Sequence, residues 1–146
     1  MRTEFSILRP IAFAVVIPAV ALLASMQIGC TKPQAMHSAS DVPAAQGTVK
    51  AALGDNGNTN VSIQVKHLAP PSKVASDATV YVVWIRAVDA SDQNVGALKL
   101  NSNLEGSLET VTSHRSFRVS ITPEQRSEVD KPTHEPVFTY TVERSK

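Results

Sequence analysis

Cysteine is almost absent from this sequence, which has one such residue among 146. A single thiol cannot close an internal disulfide or supply a four-thiolate zinc site, so the fold must be stabilised by its hydrophobic core. An excess of charge of one sign is also lacking, because 14 basic side chains balance 13 acidic ones and neither kind is clustered. A nucleic-acid partner requires a basic stripe, so the composition argues against that class of partner. The length is that of a single small domain.

The first part of the chain has the pattern of an export signal. Arg2 and Arg9 flank a polar start, and residues 11–24 (IAFAVVIPAVALLA) carry no charge. This run is shorter than the about 20 apolar residues of a membrane-spanning helix, and Pro18 interrupts it. We therefore predict a signal peptide over residues 1–29. The alternatives are an uncleaved signal anchor over residues 11–28 and a soluble exported protein.

The only cysteine directly follows this segment, in Met26-Gln27-Ile28-Gly29-Cys30. The pattern resembles the lipobox of bacterial lipoproteins, although that family usually has Leu where this chain has Gln27. The resemblance implies that the signal is cut before Cys30, that Cys30 is lipidated and that the acyl chains anchor the protein to a membrane. Thr31, rather than Asp, follows the cysteine, which resembles lipoproteins passed on to an outer membrane. We expect a lipid-anchored protein of the bacterial envelope, at the outer membrane and facing the periplasm.

The remainder divides by composition into two parts. Residues 30–47 are rich in Ala, Ser, Gln, Pro and Thr, which predicts a flexible tether. Residues 48–146 show the period of β-strands, for example in Val61, Ile63 and Val65, which alternate with polar residues. In residues 79–88 the residues that point to either face are apolar, as in a central strand covered on two sides. Trp84 is expected to anchor the core.

Seven strands are predicted in this second part, with turn residues between them. They cover residues 48–53, 60–66, 79–88, 95–100, 104–111, 116–121 and 138–143. The predicted fold class is all-β: a single antiparallel immunoglobulin-like β-sandwich of about seven strands.

Residues that carry chemistry are few. The four histidines, at positions 37, 67, 114 and 134, lack the spacing of metal motifs, and the Met36-His37 pair alone is too small for a copper site. No serine lies in a nucleophile motif, and Glu105 and Glu109 lie on a polar strand face. We predict no catalytic residue, no metal, no cofactor and no enzymatic activity.

The long segment from Pro123 to Pro136 (PEQRSEVDKPTHEP) is the first place to look for a binding surface, since loops of this length are often functional. The alternative is a solvated crossover between the last two strands.

A second resemblance concerns Tyr81-Val82-Val83-Trp84 with Ile85, followed by a polar turn and Asn94-Val95-Gly96-Ala97-Leu98. This pattern is similar to the C-terminal extracytoplasmic domain of anti-sigma-K-type factors, and the similarity covers Thr79 to Glu143. It implies a small β-sandwich and contacts outside the cytoplasm. We expect no counterpart of that family's cytoplasmic helical domain, so the resemblance implies no binding residue.

The leading functional hypothesis is a non-catalytic envelope lipoprotein whose sandwich contacts another envelope protein, including as the sensory part of an anti-sigma-factor-like signalling system. A periplasmic carrier of a small ligand or metal and a structural envelope component are the alternatives.

The central strand gives a first testable prediction. Replacing Trp84 with Ala is expected to lower the free energy of unfolding by about 3 to 5 kcal/mol, because a large buried side chain is removed. Glu105→Ala, on a polar face, is expected to change it by under about 0.5 kcal/mol. Urea denaturation of the two variants measures both values, and equal effects would contradict the strand assignment.

Overall fold

The computed structural model describes residues 31–143, which contain nine strands and one short helix. In chain order these elements are β1 (Gln34–Ala35), β2 (His37–Ser38), β3 (Gln46–Leu53), β4 (Thr59–Lys66), α1 (Pro71–Val74), β5 (Val80–Ala87), β6 (Gln93–Leu98), β7 (Gly106–Thr112), β8 (Phe117–Glu124) and β9 (Phe138–Val142). Each of the seven predicted strands corresponds to one of β3 to β9.

The strands form two antiparallel sheets that pack as a β-sandwich. One sheet has the order β1-β3-β4-β7, and the other has the order β2-β9-β8-β5-β6. Without β1 and β2, the arrangement is the A-B-E and G-F-C-C′ arrangement of strands in immunoglobulin-like domains. The predicted fold class is therefore confirmed.

The core lies between the sheets and consists of the inward-facing residues of the alternating strands. Val61, Ile63 and Val65 of β4 are fully buried, as their alternation predicts. Tyr81 on the opposite sheet is fully buried in this core, and burial raises the pKa of its phenol to about 12. Its hydroxyl donates a hydrogen bond to the carbonyl oxygen of Ala69 at 2.8 Å, so the one polar atom of this side chain has a partner.

Strand β5 lies between β8 and β6 in its sheet and is covered on both faces, as its sequence predicts, since the consecutive residues Tyr81 to Ile85 are all buried. Trp84 is fully buried, but it lies outside the core between the sheets. It is opposite Ser120 of β8 and Asn94 of β6, on the outer face of the sheet. The expectation that Trp84 anchors the central core is corrected to this outer position.

Residues 31–47, predicted within the flexible tether of residues 30–47, instead belong to the sandwich. Strand β1 pairs with β3 in one sheet, and β2 pairs with β9 in the other. Met36, between them, is only 7% exposed and its N–H donates to the carbonyl oxygen of Gly47 at 2.8 Å. Gly47 itself is closely packed, since a Cβ there would lie 2.9 Å from a ring carbon of Phe138. The composition misled the prediction because the open edges of β3 and β9 supply the hydrogen-bond partners that this segment lacks by itself.

One strand begins later than predicted. Leu104 lies in the turn before β7, with φ of 61°, instead of at the start of a strand with an inward side chain. The carboxamide oxygen of Asn101 accepts hydrogen bonds from the N–H groups of Asn103 and Glu105, which closes this turn.

The N-terminal segment gives a second prediction. Met36→Ala is expected to lower the free energy of unfolding by about 2 to 5 kcal/mol, the usual range for a buried methionine. Gln34→Ala in the same segment removes an exposed side chain and is the matched control, expected to stay within about 0.5 kcal/mol of the wild type. Urea denaturation measures both variants. If Met36→Ala were as mild as the control, these residues would behave as the predicted tether.

Candidate functional site

The candidate site is the connection between β8 and β9, which the sequence singles out as the Pro123 to Pro136 segment. Pro123 and Glu124 belong to β8, so the connection consists of residues 125–137 and has no regular secondary structure. The side-chain amide of Asn94, in β6, donates hydrogen bonds to the carbonyl oxygens of Ser127 at 2.8 Å and Val129 at 3.0 Å. These bonds to β6 and the start of the connection at β8 carry the segment over the outer face of β5, where Trp84 is buried.

A buried carboxylate holds the start of this connection to its end. Glu124 is fully buried, and its Oε1 accepts hydrogen bonds from the hydroxyl of Thr122 at 2.6 Å and from the N–H of Thr133 at 3.0 Å. Its Oε2 accepts from the hydroxyl of Thr133. Thr122 in turn accepts a hydrogen bond from the indole N–H of Trp84 at 2.8 Å. Each carboxylate oxygen therefore has a donor, which offsets the cost of burying the group.

His134 extends this network to the surface. Its Nδ1 lies 3.0 Å from the hydroxyl oxygen of Thr133, and its Nε2 lies 3.0 Å from Oδ1 of Asp77. The hydroxyl of Thr133 donates to Glu124, so His134 connects the exposed carboxylate of Asp77 to the buried carboxylate of Glu124 through Thr133.

The pKa values of both carboxyl groups are lowered, but for different reasons. Burial by itself raises the pKa of Glu124, but the hydrogen bonds from Thr122 and Thr133 and the charge of His134 outweigh it, so its pKa lies below the usual 4.5. The pKa of Asp77 is lowered mainly by a hydrogen bond from the side chain of Gln125, at 2.7 Å, with smaller effects of His134. Both groups are ionised near neutral pH, and together they hold residues 125–137 in one conformation.

A pocket of about 310 Å³ lies beside the network and is lined by Asp77, Glu124, Gln125, Arg126, Val129, Thr133 and His134. The carboxylate of Glu124 is already engaged by donors from the protein. Among residues 31–143, no buried side-chain nitrogen or oxygen lacks a hydrogen-bond partner. These hydrogen bonds fix the start of the connection to residues 133 and 134 near its end.

The other sequence candidates lie apart from this site. His37 is exposed in β2, His67 follows β4 with φ of 55°, and the carbonyl of His114 accepts a hydrogen bond from Thr59 at 2.9 Å in a turn. Glu105 precedes β7 and Glu109 is exposed within it. Cys30 and the predicted signal peptide lie outside the described residues.

The sequence did not single out Glu124, and it indicated no metal-binding role for His134. A signal was present in Thr122-Pro123-Glu124, since alternation places both polar side chains on the face that Trp84 and Val82 share. Because both faces of β5 are apolar, another segment of the chain must cover this outer face, and polar residues next to it can bond to that segment.

Residues 31–143 contain no group of three or more His, Cys, Asp or Glu side chains arranged to hold a metal ion. The same residues include no helix that is long and apolar enough to cross a membrane.

Comparison of the chain with protein-family models, with curated proteins and with solved structures finds no match. The function is therefore inferred from the fold, from the side chains of the candidate site and from the sequence pattern around Cys30.

The buried carboxylate gives a third prediction. Glu124→Gln is expected to lower the free energy of unfolding by about 1 to 3 kcal/mol at neutral pH, because an amide nitrogen cannot accept the hydrogen bond of Thr133. The pKa of Glu124 is lowered on folding, so its contribution is present above the unfolded value of 4.5 and is lost as the pH falls through the folded value. The difference between wild type and variant should therefore shrink below about pH 4.5.

The measurement is urea denaturation at a series of pH values. Glu128→Gln is the matched control, because Glu128 is an exposed acid in the same connection. It is expected to change the stability by under about 0.5 kcal/mol at every pH. A constant difference between wild type and Glu124→Gln across the series would contradict the role of the ionised carboxylate.

Proposed function

We propose that the protein is a non-catalytic lipoprotein of the bacterial cell envelope, held to a membrane through Cys30, whose sandwich contacts another envelope protein through residues 125–137. The sequence pattern around Cys30 supports the anchor. The sandwich supports a binding role, since such domains present loops and strand edges to their partners.

The observation that carries the contact surface is the length of the connection, together with its fixed conformation. Strands β8 and β9 are antiparallel neighbours, for which loops of about two to five residues suffice. Residues 125–137 greatly exceed this need, yet Glu124, Asn94 and His134 hold them in place. A segment ordered before binding loses little entropy when a partner binds.

The surface of this connection is charged and mixed. Its exposed charged side chains are Arg126, Glu128, Asp130, Lys131 and Glu135. Such a surface favours a specific polar contact with a protein whose charges are complementary. The resemblance of residues 79–143 to the extracytoplasmic domain of anti-sigma-K-type factors is the reason for including a sensory role in signalling.

The lipid anchor gives a fourth prediction, tested on the full chain in a Gram-negative host. Mass spectrometry of the membrane fraction is expected to find a mature N-terminus at Cys30 that carries acyl chains. Cys30→Ala is expected to leave an unacylated precursor, because the thiol that receives the lipid is missing. Thr31→Ala is the control and should still be processed. An unmodified Cys30 in the wild type would contradict the anchor.

The protein contact is tested separately by photo-crosslinking in native membranes. A crosslinking side chain replaces Lys131 in the connection or, as the control, Lys50, which is exposed on the other sheet. One discrete adduct at position 131 that is absent at position 50 supports the proposed surface. Adducts at both positions, or at neither, would contradict it and favour a structural component or a carrier.

A further inference from the structure

The described chain enters the sandwich at a definite end. In the pairing of β1 with β3, Gln34 lies opposite Val49 and Ala35 opposite Thr48, so the residues before Gln34 run beside the last part of β3. Thr31 accordingly lines a small pocket together with Ala51, Val142 and Glu143. We call this end the entry end. It also carries the turns of residues 54–58, 88–92 and 113–116, whereas the connection of residues 125–137 begins and ends at the opposite end and crosses the outer face of the five-stranded sheet between these points.

The distance between this end and the proposed anchor is short. Only Thr31, Lys32 and Pro33 separate Cys30 from β1. The chain can therefore span at most about 14 Å between the Cα atoms of Cys30 and Gln34. A flexible tether of residues 31–47 would have an average span of about 23 Å and free orientation. The polar layer on each side of a bilayer is about 5 to 8 Å thick, and crossing it uses that much of the about 14 Å between Cys30 and Gln34. With Cys30 anchored, the entry end must therefore lie at the membrane surface.

Exposed apolar side chains are concentrated at the same end. Leu53 is 47% exposed at the end of β3, Val88 is 78% exposed after β5, and Val111 is 55% exposed near the end of β7. Among residues 31–143, the remaining large apolar side chain that is exposed is Leu104, at 37%, on the opposite end. Three of these four side chains thus lie where the chain enters.

We propose that the entry end docks on the lipid surface of the membrane that holds Cys30, with Leu53, Val88 and Val111 contacting the interfacial layer. This inference rests on the proposed lipid anchor. Charges at this end are mixed, because the entering segment and the turns carry the basic residues Lys32 and Arg115 and the acidic residues Asp55 and Asp89. Apolar contact, and not attraction to anionic lipid, therefore drives the docking. Residues 125–137 then lie along the side of the sandwich, with their first and last residues at the end away from the membrane.

The test measures the depth of labels placed at the two ends. The full chain, carrying Val88→Cys or Leu104→Cys, is purified from membranes, labelled with an environment-sensitive fluorophore and reconstituted in vesicles of phosphatidylethanolamine and phosphatidylglycerol. An acylated Cys30 has no free thiol, so only the introduced cysteine reacts. Nitroxide-labelled lipids are expected to quench the label at position 88 at least about twofold more strongly than the matched label at position 104.

Each result has one meaning, because mass spectrometry of the same sample reports the state of Cys30. Acylated protein with equal quenching at both positions, or none at position 88, overturns the docking and leaves the anchor intact. Protein that is neither acylated nor membrane-bound overturns the anchor and the docking with it. A label at position 88 that is shielded from an aqueous quencher in native membranes, but not in vesicles, overturns lipid docking in favour of a protein or a second copy at this end.

Discussion

The burial of one carboxylate determines how the outer face of the five-stranded sheet is built. A charged group without solvent is stable only if donors surround it, and Glu124 obtains them from Thr122 and from both the N–H and the hydroxyl of Thr133. This requirement fixes the conformation of residues 125–137, and that segment in turn covers Trp84. The sandwich core and this outer layer are consequently separate packing units that share strands β5, β6 and β8.

The N-terminal segment has the opposite character, since it is stabilised by short backbone pairings and by the buried apolar side chains of Met36, Val42 and Ala45. It runs antiparallel to β3 and β9 and so brings the start of the described chain to the end where β9 finishes. Without this segment the chain would enter beside Gln46, at the other end of the sandwich. A few residues therefore determine at which end of the sandwich the described chain begins.

The sequence predicts much of this fold because most strands have one buried face, and alternation reveals such strands directly. It cannot decide which face of β5 packs into the core, since the residues on both faces are apolar. Trp84 was therefore assigned to the wrong face. It also cannot reveal β1 and β2, because two-residue strands have no period and depend on neighbours far along the chain. The sequence also does not reveal that Glu124 is buried and bonded to Thr133, because residues 125–132 between them have no strand or helix periodicity.

The two ends of the described chain lie close together, since Thr31 and Glu143 line one pocket of about 160 Å³. A short linker between them would close residues 31–143 into a ring, and the turn of residues 54–58 could then be opened to create new ends. In such a circular permutant β4 would come first and β3 last, while every strand kept its neighbours in the sheets. The architecture thus separates the order of strands in space from their order along the chain.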